Sequence, residues 1–133
     1  MVKRLSIALS AGLILALVDI WLASASVLGA LDTSGPLFWY MLFNRLAIGF
    51  FVALVGVITI HPLFGFNMYL IRGAFTGIWI SLSMAISVFF DTQSTWTFFW
   101  LILISGGVYG IIIDALATKF AGHGKALLHP RNE

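Results

Sequence analysis

Residues 38–50 read FWYMLFNRLAIGF, a stretch that carries both the main evidence for the fold and its main difficulty. Eleven of these thirteen residues suit hydrocarbon or its edge, whereas Asn44 and Arg45 do not. A run of this kind predicts part of a transmembrane helix. An arginine inside such a helix costs free energy unless it faces the protein interior and has a partner.

The composition of the whole chain points the same way. Of its 133 residues, 61% are hydrophobic and 9% are charged, and the mean hydropathy is +1.06. A water-soluble domain is about half apolar and about a quarter charged. Because so few polar residues could not cover a soluble surface, the sequence predicts an integral membrane protein surrounded by a lipid bilayer.

Four apolar stretches are long enough to cross the bilayer, which takes roughly 20 residues for about 30 Å of hydrocarbon. They cover residues 5–30, 37–60, 68–90 and 96–118, and residues 119–133 form a tail. The expected fold is therefore all-α. It is a single transmembrane domain over residues 1–133, a polytopic protein with four helices in a compact bundle.

The basic residues predict the orientation of these spans. Those that flank or open a span all fall on one side, and they are Lys3, Arg4, Arg72, Lys119, Lys125 and Arg131. The opposite side carries Asp32 and Asp91. Because cytoplasmic loops carry the excess of Lys and Arg, both termini are expected in the cytoplasm. MVKR followed by an apolar run and LASAS also resembles a signal peptide, but Asp19 is awkward in a signal core.

Each charge within a span lies on a helix face of small or hydroxyl residues, given about 100° per residue. The four faces are Ala8, Gly12, Asp19, Ala23 and Ser26; Arg45, Gly49, Val52, Gly56 and Thr59; Arg72, Thr76, Ser83 and Ser87; and Gly107, Gly110, Asp114 and Thr118. Small residues let helices pack closely in lipid, and charges turn toward that interior.

Depth along the helices predicts which charges pair. At about 1.5 Å per residue, Asp19 lies roughly 21 Å from the inner surface, and Arg45 on the second span lies roughly 18 Å from it. Arg72 and Asp114 both lie near the cytoplasmic ends of their spans. The expected ion pairs are Asp19–Arg45 and Arg72–Asp114. Asn44 lies about 100° from Arg45, so it could face a neighbouring helix or another subunit.

The two halves of the chain show a weak internal similarity. A shift of 61 residues pairs Phe38 with Phe99, Trp39 with Trp100, Gly12 with Gly73 and Gly49 with Gly110. Low-complexity apolar sequence also yields such matches by chance. If the similarity is a repeat, the two helical hairpins are parallel copies related by an axis along the membrane normal.

Residues for catalysis or metal binding are sparse. The chain has no cysteine, and His61, His123 and His129 all lie at or beyond span ends without an acidic partner. The GGVYG segment lacks the Lys and the Ser or Thr of a phosphate-binding loop. The sequence therefore predicts no enzyme activity, cofactor or metal site. The seven Lys and Arg follow membrane topology, so no nucleic-acid partner is expected.

Three segments carry a family resemblance: NRLAIGF at 44–50, IRGAFTG at 71–77 and GVYGIIIDALATK at 107–119. With its Asn-Arg, Arg-Gly and Tyr-Gly…Asp elements, the chain resembles a group of small four-span membrane proteins of bacteria and archaea. The resemblance covers the second to fourth spans. It implies a four-span fold and a prokaryotic cytoplasmic membrane, and it implies no particular activity.

Two functional hypotheses remain open from the sequence. In the first, the protein is a non-enzymatic subunit of a homo-oligomer or a larger membrane complex, and the charge pairs hold its helices together. In the second, it is a small oligomeric transporter or channel with a site at Asp19 and Arg45. The further candidate substrate-binding or ion-binding residues are Asn44, Thr76, Ser83 and Ser87.

Overall fold

The computed structural model describes residues 1–25, 31–58, 68–90 and 96–122. These residues form four α-helices: α1 (Val2–Ala23), α2 (Pro36–Val55), α3 (Met68–Ser87) and α4 (Trp96–Ala121). A short 3-10 helix, Val88–Phe90, follows α3. The positions noted above at Ser26, Thr59, Asp91, Lys125, Arg131 and the three histidines lie outside the described residues.

All four helices are long and apolar enough to cross a membrane. The prediction of an all-α, four-span membrane protein is therefore confirmed. The helix bounds differ at the ends, because α1 begins at Val2 and α4 continues to Ala121. This difference matters for Arg4, which lies in the first turn of a helix rather than in a segment that precedes one.

The helices form two tight hairpins, α1 with α2 and α3 with α4, which pack side by side. Glycines let the backbones meet in both. A Cβ on Gly12 would lie 2.9 Å from the carbonyl oxygen of Arg45, and one on Gly49 would lie 2.6 Å from that of Ala8. A Cβ on Gly73 would lie 2.5 Å from the carbonyl oxygen of Gly110. A side chain at these positions would therefore force the helices apart.

The glycine contacts of the two hairpins correspond to each other. Gly12 packs against Gly49 in the first hairpin, and Gly73 packs against Gly110 in the second. The same shift of 61 residues relates both members of the two pairs. The close approaches of the hairpins thus agree with the internal repeat. The buried charges do not follow it, since the position 61 residues after Arg45 is Gly106.

The interior is rich in small and polar side chains, and most of the large apolar side chains face outward. One buried apolar cluster joins three helices through Ala8, Ala11, Ile48, Val52, Ala53, Ile113 and Ala117. Large exposed side chains include Leu13 on α1, Phe43 on α2 and Ile104 on α4. This distribution suits a bilayer, because lipid solvates large apolar groups while close helix packing needs small ones.

A compact turn leads into α2. The Asp32 carboxylate accepts hydrogen bonds from the Ser34 backbone N–H (2.9 Å) and hydroxyl (2.6 Å). These bonds hold the pKa of Asp32 below its usual value. The Gly35 N–H bonds to the Asp32 carbonyl oxygen (3.0 Å), and Pro36 opens the helix, where its missing N–H costs nothing. The turn therefore fixes where the second span begins.

Candidate functional site

Arg45 and Asp19 form an ion pair between α1 and α2 about halfway along the bundle. Arg45 donates from Nε (3.0 Å) and Nη2 (2.9 Å) to Oδ2 of Asp19. The Arg45 side chain is buried, whereas 16% of the Asp19 side chain is exposed. The structure thus brings together the two residues that the depth argument paired.

The other donors of Arg45 reach the remaining helices. Nη1 donates to the side-chain oxygens of Asn44 (3.1 Å) and Ser81 (3.2 Å). Nη2 also donates to the Ser105 hydroxyl (3.1 Å). Since Ser81 belongs to α3 and Ser105 to α4, one guanidinium contacts side chains of all four helices. Hydrogen bonds with an ionised donor are stronger than neutral ones, so Arg45 links the two hairpins at mid-depth.

Tyr109 completes this mid-span cluster, which consists of Asp19, Asn44, Arg45, Ser81, Ser105 and Tyr109. The Tyr109 hydroxyl donates to Oδ1 of Asp19 (2.9 Å). Its ring lies against the Arg45 guanidinium, 4.6 Å from Cζ to the ring centroid, which is a cation–π contact. The sequence does not mark Tyr109 as a site residue, because an aromatic residue in a span normally faces lipid. The available signal was its position one turn after Ser105.

A second cluster lies at the end of the bundle where α1 and α3 begin. Arg72 donates to Asp114 from Nε to Oδ2 (2.7 Å) and from Nη2 to Oδ1 (2.8 Å). Arg4 also forms an ion pair with Asp114, through its Nη2 and Oδ1. The Thr118 hydroxyl accepts from both arginines and donates to Asp114. We call these four residues the terminal cluster, namely Arg4, Arg72, Asp114 and Thr118.

Two arginines share one carboxylate in the terminal cluster, so the cluster keeps one net positive charge. Backbone carbonyls at two helix ends supply the missing acceptors. Arg72 Nη1 donates to those of Gly56 (3.3 Å) and Ile58 (2.8 Å) after α2. Arg4 Nη1 donates to that of Gly122 (2.6 Å) after α4. Each helix C-terminus is equivalent to roughly −0.5 charge, so the two ends together offset about one positive charge.

The burial of Arg4 corrects its expected place in a membrane-flanking segment. Arg4 is fully buried, while the neighbouring Lys3 is exposed. The two side chains point about 100° apart, and only Arg4 continues the small-residue face formed by Ala8 and Gly12. The glycine at position 56 leaves room for the Arg4 guanidinium, because a Cβ there would overlap it. Arg4 Nε has no hydrogen-bond partner among the described residues.

The polar residues proposed as a stripe on α3 do not form one site. Thr76 is buried, and its hydroxyl donates to the Arg72 carbonyl oxygen (2.8 Å). Ser83 is exposed and donates to the Ile80 carbonyl oxygen (3.0 Å). The half-buried Ser87 donates to that of Met84 (2.7 Å). The expectation that these residues share one polar site inside the bundle is therefore wrong.

Helix geometry explains this separation. The buried row of α3 runs through Gly73, Gly77 and Ser81, and each step of four residues rotates it by roughly 40°. Thr76 and Ser83, seven residues apart, stay within about 20° of each other. From Gly73 to Ser81 the row rotates by roughly 80°. At the level of Ser83 the contact with α4 therefore lies on the side of α3 opposite the serine, which faces outward.

Asn44 faces a neighbouring helix, one of the two alternatives considered. Its Nδ2 donates to the Ile80 carbonyl oxygen of α3 (3.3 Å), and its Oδ1 accepts from Arg45. Asn44 is buried. Both ends of the amide are therefore bonded within the chain, and the residue orients Arg45 toward α3 and α4.

The mid-span cluster reaches the outer surface of the bundle beside α4. A groove of about 660 Å³ follows that helix, and its lining includes the hydroxyl residues Ser105 and Tyr109 together with Trp100 and Ile104. Ser105 and Tyr109 each bond to one member of the Asp19–Arg45 pair. Within the described ranges, no group of three or more His, Cys, Asp or Glu residues could hold a metal ion.

Comparison of the chain with family models, curated proteins and solved structures finds no match. The geometry of the two clusters is therefore the basis on which a function can be assigned.

Proposed function

We propose that the protein is a non-enzymatic subunit of a homo-oligomer or larger membrane complex, and that its intramembrane charges hold its helices together. The observation that carries this proposal is the Arg45 guanidinium, whose three nitrogens all donate to partners within the chain. A solute that bound this group would have to displace contacts that join four helices.

The terminal cluster supports the same role. Asp114 is fully buried, and both of its carboxylate oxygens accept from arginines. The arginines in turn bond to the backbone carbonyls of Gly56 and Gly122, which directly follow α2 and α4. In lipid, an unsatisfied backbone carbonyl costs several kcal/mol. The cluster therefore closes one end of the bundle by satisfying groups that helix geometry leaves unbonded.

The proposal places the protein in a prokaryotic cytoplasmic membrane with the terminal cluster on the cytoplasmic side. The support for a prokaryotic membrane is the resemblance to small bacterial and archaeal proteins, and the support for the orientation is the charge distribution. Lys3 and Lys119 lie near this end of the bundle, and Asp32 lies at the other. The positive-inside rule assigns the Lys-bearing end to the cytoplasm.

A small oligomeric transporter or channel is the second candidate, and one observation favours it. Asp19 is partly exposed, and two residues bonded to the Asp19–Arg45 pair line the groove beside α4. An ionisable residue within a membrane is a functional candidate by default. In this reading the groove gives a solute or a proton access to the ion pair, and Asn44, which bonds to Arg45, is a further candidate.

A charge-neutral double variant separates the two candidates. Asp19→Asn combined with Arg45→Gln removes both charges while keeping polar side chains and some hydrogen bonding. The matched control, Lys3→Gln with Asp32→Asn, removes one acid and one base that are both exposed. The measurements are the particle mass in native-lipid discs and proton flux into proteoliposomes, followed with an internal pH dye.

The subunit proposal predicts an oligomeric particle whose mass or folded yield falls in the Asp19/Arg45 variant and stays unchanged in the control. It also predicts flux no greater than in empty vesicles for every form. A wild-type flux that the Asp19/Arg45 variant loses while keeping its particle mass would favour the transporter instead. A monomeric wild-type particle without a co-purifying membrane protein would refute the subunit proposal.

A further inference from the structure

We propose that a groove between α1 and α4 binds an anionic phospholipid, whose headgroup lies at the lysine-bearing end of the bundle and whose acyl chain follows the groove. The groove has a volume of about 370 Å³, and its lining includes Ser6, Ile7, Ser10 and Ile14 of α1 and Leu116 and Phe120 of α4. It is separate from both polar clusters, and the inference does not depend on the proposed subunit role.

The groove has the direction and the surface that an acyl chain requires. Its α1 side extends from Ser6 to Ile14, which is about 12 Å along the helix axis at about 1.5 Å per residue. Ile14 and Phe120 are each more than half exposed, so the groove opens toward the surrounding hydrocarbon. The Ser6 hydroxyl donates to the Val2 carbonyl oxygen (3.2 Å) of its own helix. The groove is therefore an apolar channel that runs along the helices, as lipid chains do.

Two lysines lie where the groove reaches the end of the bundle. The Lys119 ammonium lies 5.7 Å from the centroid of the Phe120 ring, which lines the groove. Lys3 lies on the same side of α1 as the groove, because Ser10 and Ile14 follow it by about two and three turns and point within about 20° of it. Both lysines are exposed. One end of the groove is therefore positively charged, and the rest is apolar.

The charges of Lys3 and Lys119 are not neutralised by the described residues. Neither lysine belongs to an ion pair there. Asp114 is fully buried and bonded to two arginines. Asp19 lies about halfway along the bundle, and Asp32 precedes α2 at the other end. The two lysines are therefore available to an anion from outside the described chain.

This combination of charge and hydrocarbon selects a phospholipid as the occupant. Basic pockets between membrane helices on the cytoplasmic side bind anionic headgroups. A soluble anion would use the lysines but not the apolar channel. A second copy in the same orientation would bring its own Lys3 and Lys119 to the same depth, where like charges repel. Each lysine favours an anionic over a zwitterionic lipid several-fold, so the expected preference is about tenfold.

Site-specific fluorescence quenching tests this preference, since the chain has no cysteine of its own. Ile14→Cys carries a bimane label at the deep end of the groove. The control, Ser83→Cys, is an exposed position on α3 at a similar level, because each site lies about three turns beyond an arginine that bonds to Asp114. The protein is reconstituted in phosphatidylcholine vesicles that contain a minor fraction of brominated phosphatidylglycerol or brominated phosphatidylcholine.

The label at Ile14 should report an affinity for phosphatidylglycerol about tenfold above that for phosphatidylcholine, and the label at Ser83 should report about equal affinities. Lys3→Gln combined with Lys119→Gln should reduce the preference at Ile14 to about that at Ser83. The matched control, Lys3→Arg with Lys119→Arg, keeps both charges and should keep the preference.

A second measurement tests whether the apolar channel holds the lipid. Native mass spectrometry counts the phosphatidylglycerol molecules that stay bound when the protein is extracted from vesicles of this lipid. Ser10→Phe places a large side chain in the groove and should remove one bound lipid. Ser83→Phe makes the same change at an exposed serine outside the groove and should retain it.

An anionic preference at Ile14 that requires both lysines, together with a bound lipid lost in Ser10→Phe, supports the site. Equal quenching by the two brominated lipids at Ile14 would overturn it, and so would a lipid count that Ser10→Phe leaves unchanged. Quenching by neither lipid would mean that protein covers the groove, which also overturns the inference. None of these results depends on the oligomeric state, so the subunit proposal is tested separately by particle mass.

Discussion

Replacing Asp114 with asparagine should destabilise the bundle far more than the same change at Asp19. Both oxygens of Asp114 accept from arginines, namely Arg72 at 2.7 and 2.8 Å and Arg4. In Asp114→Asn, the amide NH2 must face a guanidinium, so a donor meets a donor. Breaking a buried ion pair by removing one partner costs about 3–5 kcal/mol, and here two cations lose the same carboxylate.

Asp19→Asn is a milder change because of how the two Asp19 oxygens are used. Oδ2 accepts from Arg45, and Oδ1 accepts from the Tyr109 hydroxyl. The amide oxygen of asparagine can still accept the hydrogen bonds from Arg45, and its NH2 can donate to the Tyr109 oxygen. Arg45 also keeps its acceptors on the other helices. The expected loss is about 1–2 kcal/mol, in the range of membrane hydrogen bonds.

The assay is the free energy of unfolding of the full chain in bilayer-like particles, titrated with a denaturing detergent. Asp114→Asn should lose about 1–4 kcal/mol more than Asp19→Asn, from the two magnitudes above. The reasoning is wrong if the two variants are equally stable, or if Asp114→Asn stays within about 1 kcal/mol of the wild type. Either result would mean that the terminal cluster contributes little to the bundle.

Three further predictions use the same unfolding assay. Gly77→Ala should cost about 2–3 kcal/mol, because its Cβ would overlap the carbonyl oxygen of Gly106. Gly107→Ala should stay within about 1 kcal/mol, because its Cβ would come closest to the movable Ile78 side chain, at 3.1 Å, and would meet the Ala74 carbonyl oxygen at an ordinary 3.9 Å; equal losses for Gly77→Ala and Gly107→Ala would refute this account of helix packing. Tyr109→Phe should cost about 1 kcal/mol, since it removes one hydrogen bond to Asp19 and keeps the ring against Arg45; no loss would show that the hydroxyl is dispensable. Arg4→Gln should cost about 2 kcal/mol or more, whereas Lys3→Gln at the exposed neighbouring position should cost less than about 0.5 kcal/mol; similar values for both would place Arg4 at the surface.

Several features of this structure follow from the sequence because the bilayer limits the alternatives. Hydrocarbon thickness predicts four helices of the observed length. A charge in lipid must turn inward and find a partner. Only one acidic residue matches the depth of Arg45, so the Asp19–Arg45 pair follows from residue counting. The Arg72–Asp114 pair follows in the same way.

Other features depend on packing that residue counting does not reach. A basic residue at a span end is usually solvated, so Arg4 gave no sign that a second arginine would share Asp114. Which of Lys3 and Arg4 turns inward depends on where α1 meets α4. Ser83 shows the same limit, because the buried side of α3 rotates along the helix as it crosses its neighbour.

The most direct test of the role of the charges is a double-mutant cycle between Arg4 and Asp114. The free energy of unfolding is measured for Arg4→Gln, Asp114→Asn and the double variant. A second cycle pairs Arg4→Gln with Asp19→Asn as the control, since these residues lie about 22 Å apart along α1 at about 1.5 Å per residue. We predict a coupling of at least about 1.5 kcal/mol in the first cycle and less than about 0.5 kcal/mol in the second. Additive losses for Arg4 and Asp114 would contradict the claim that their charges hold the helices together.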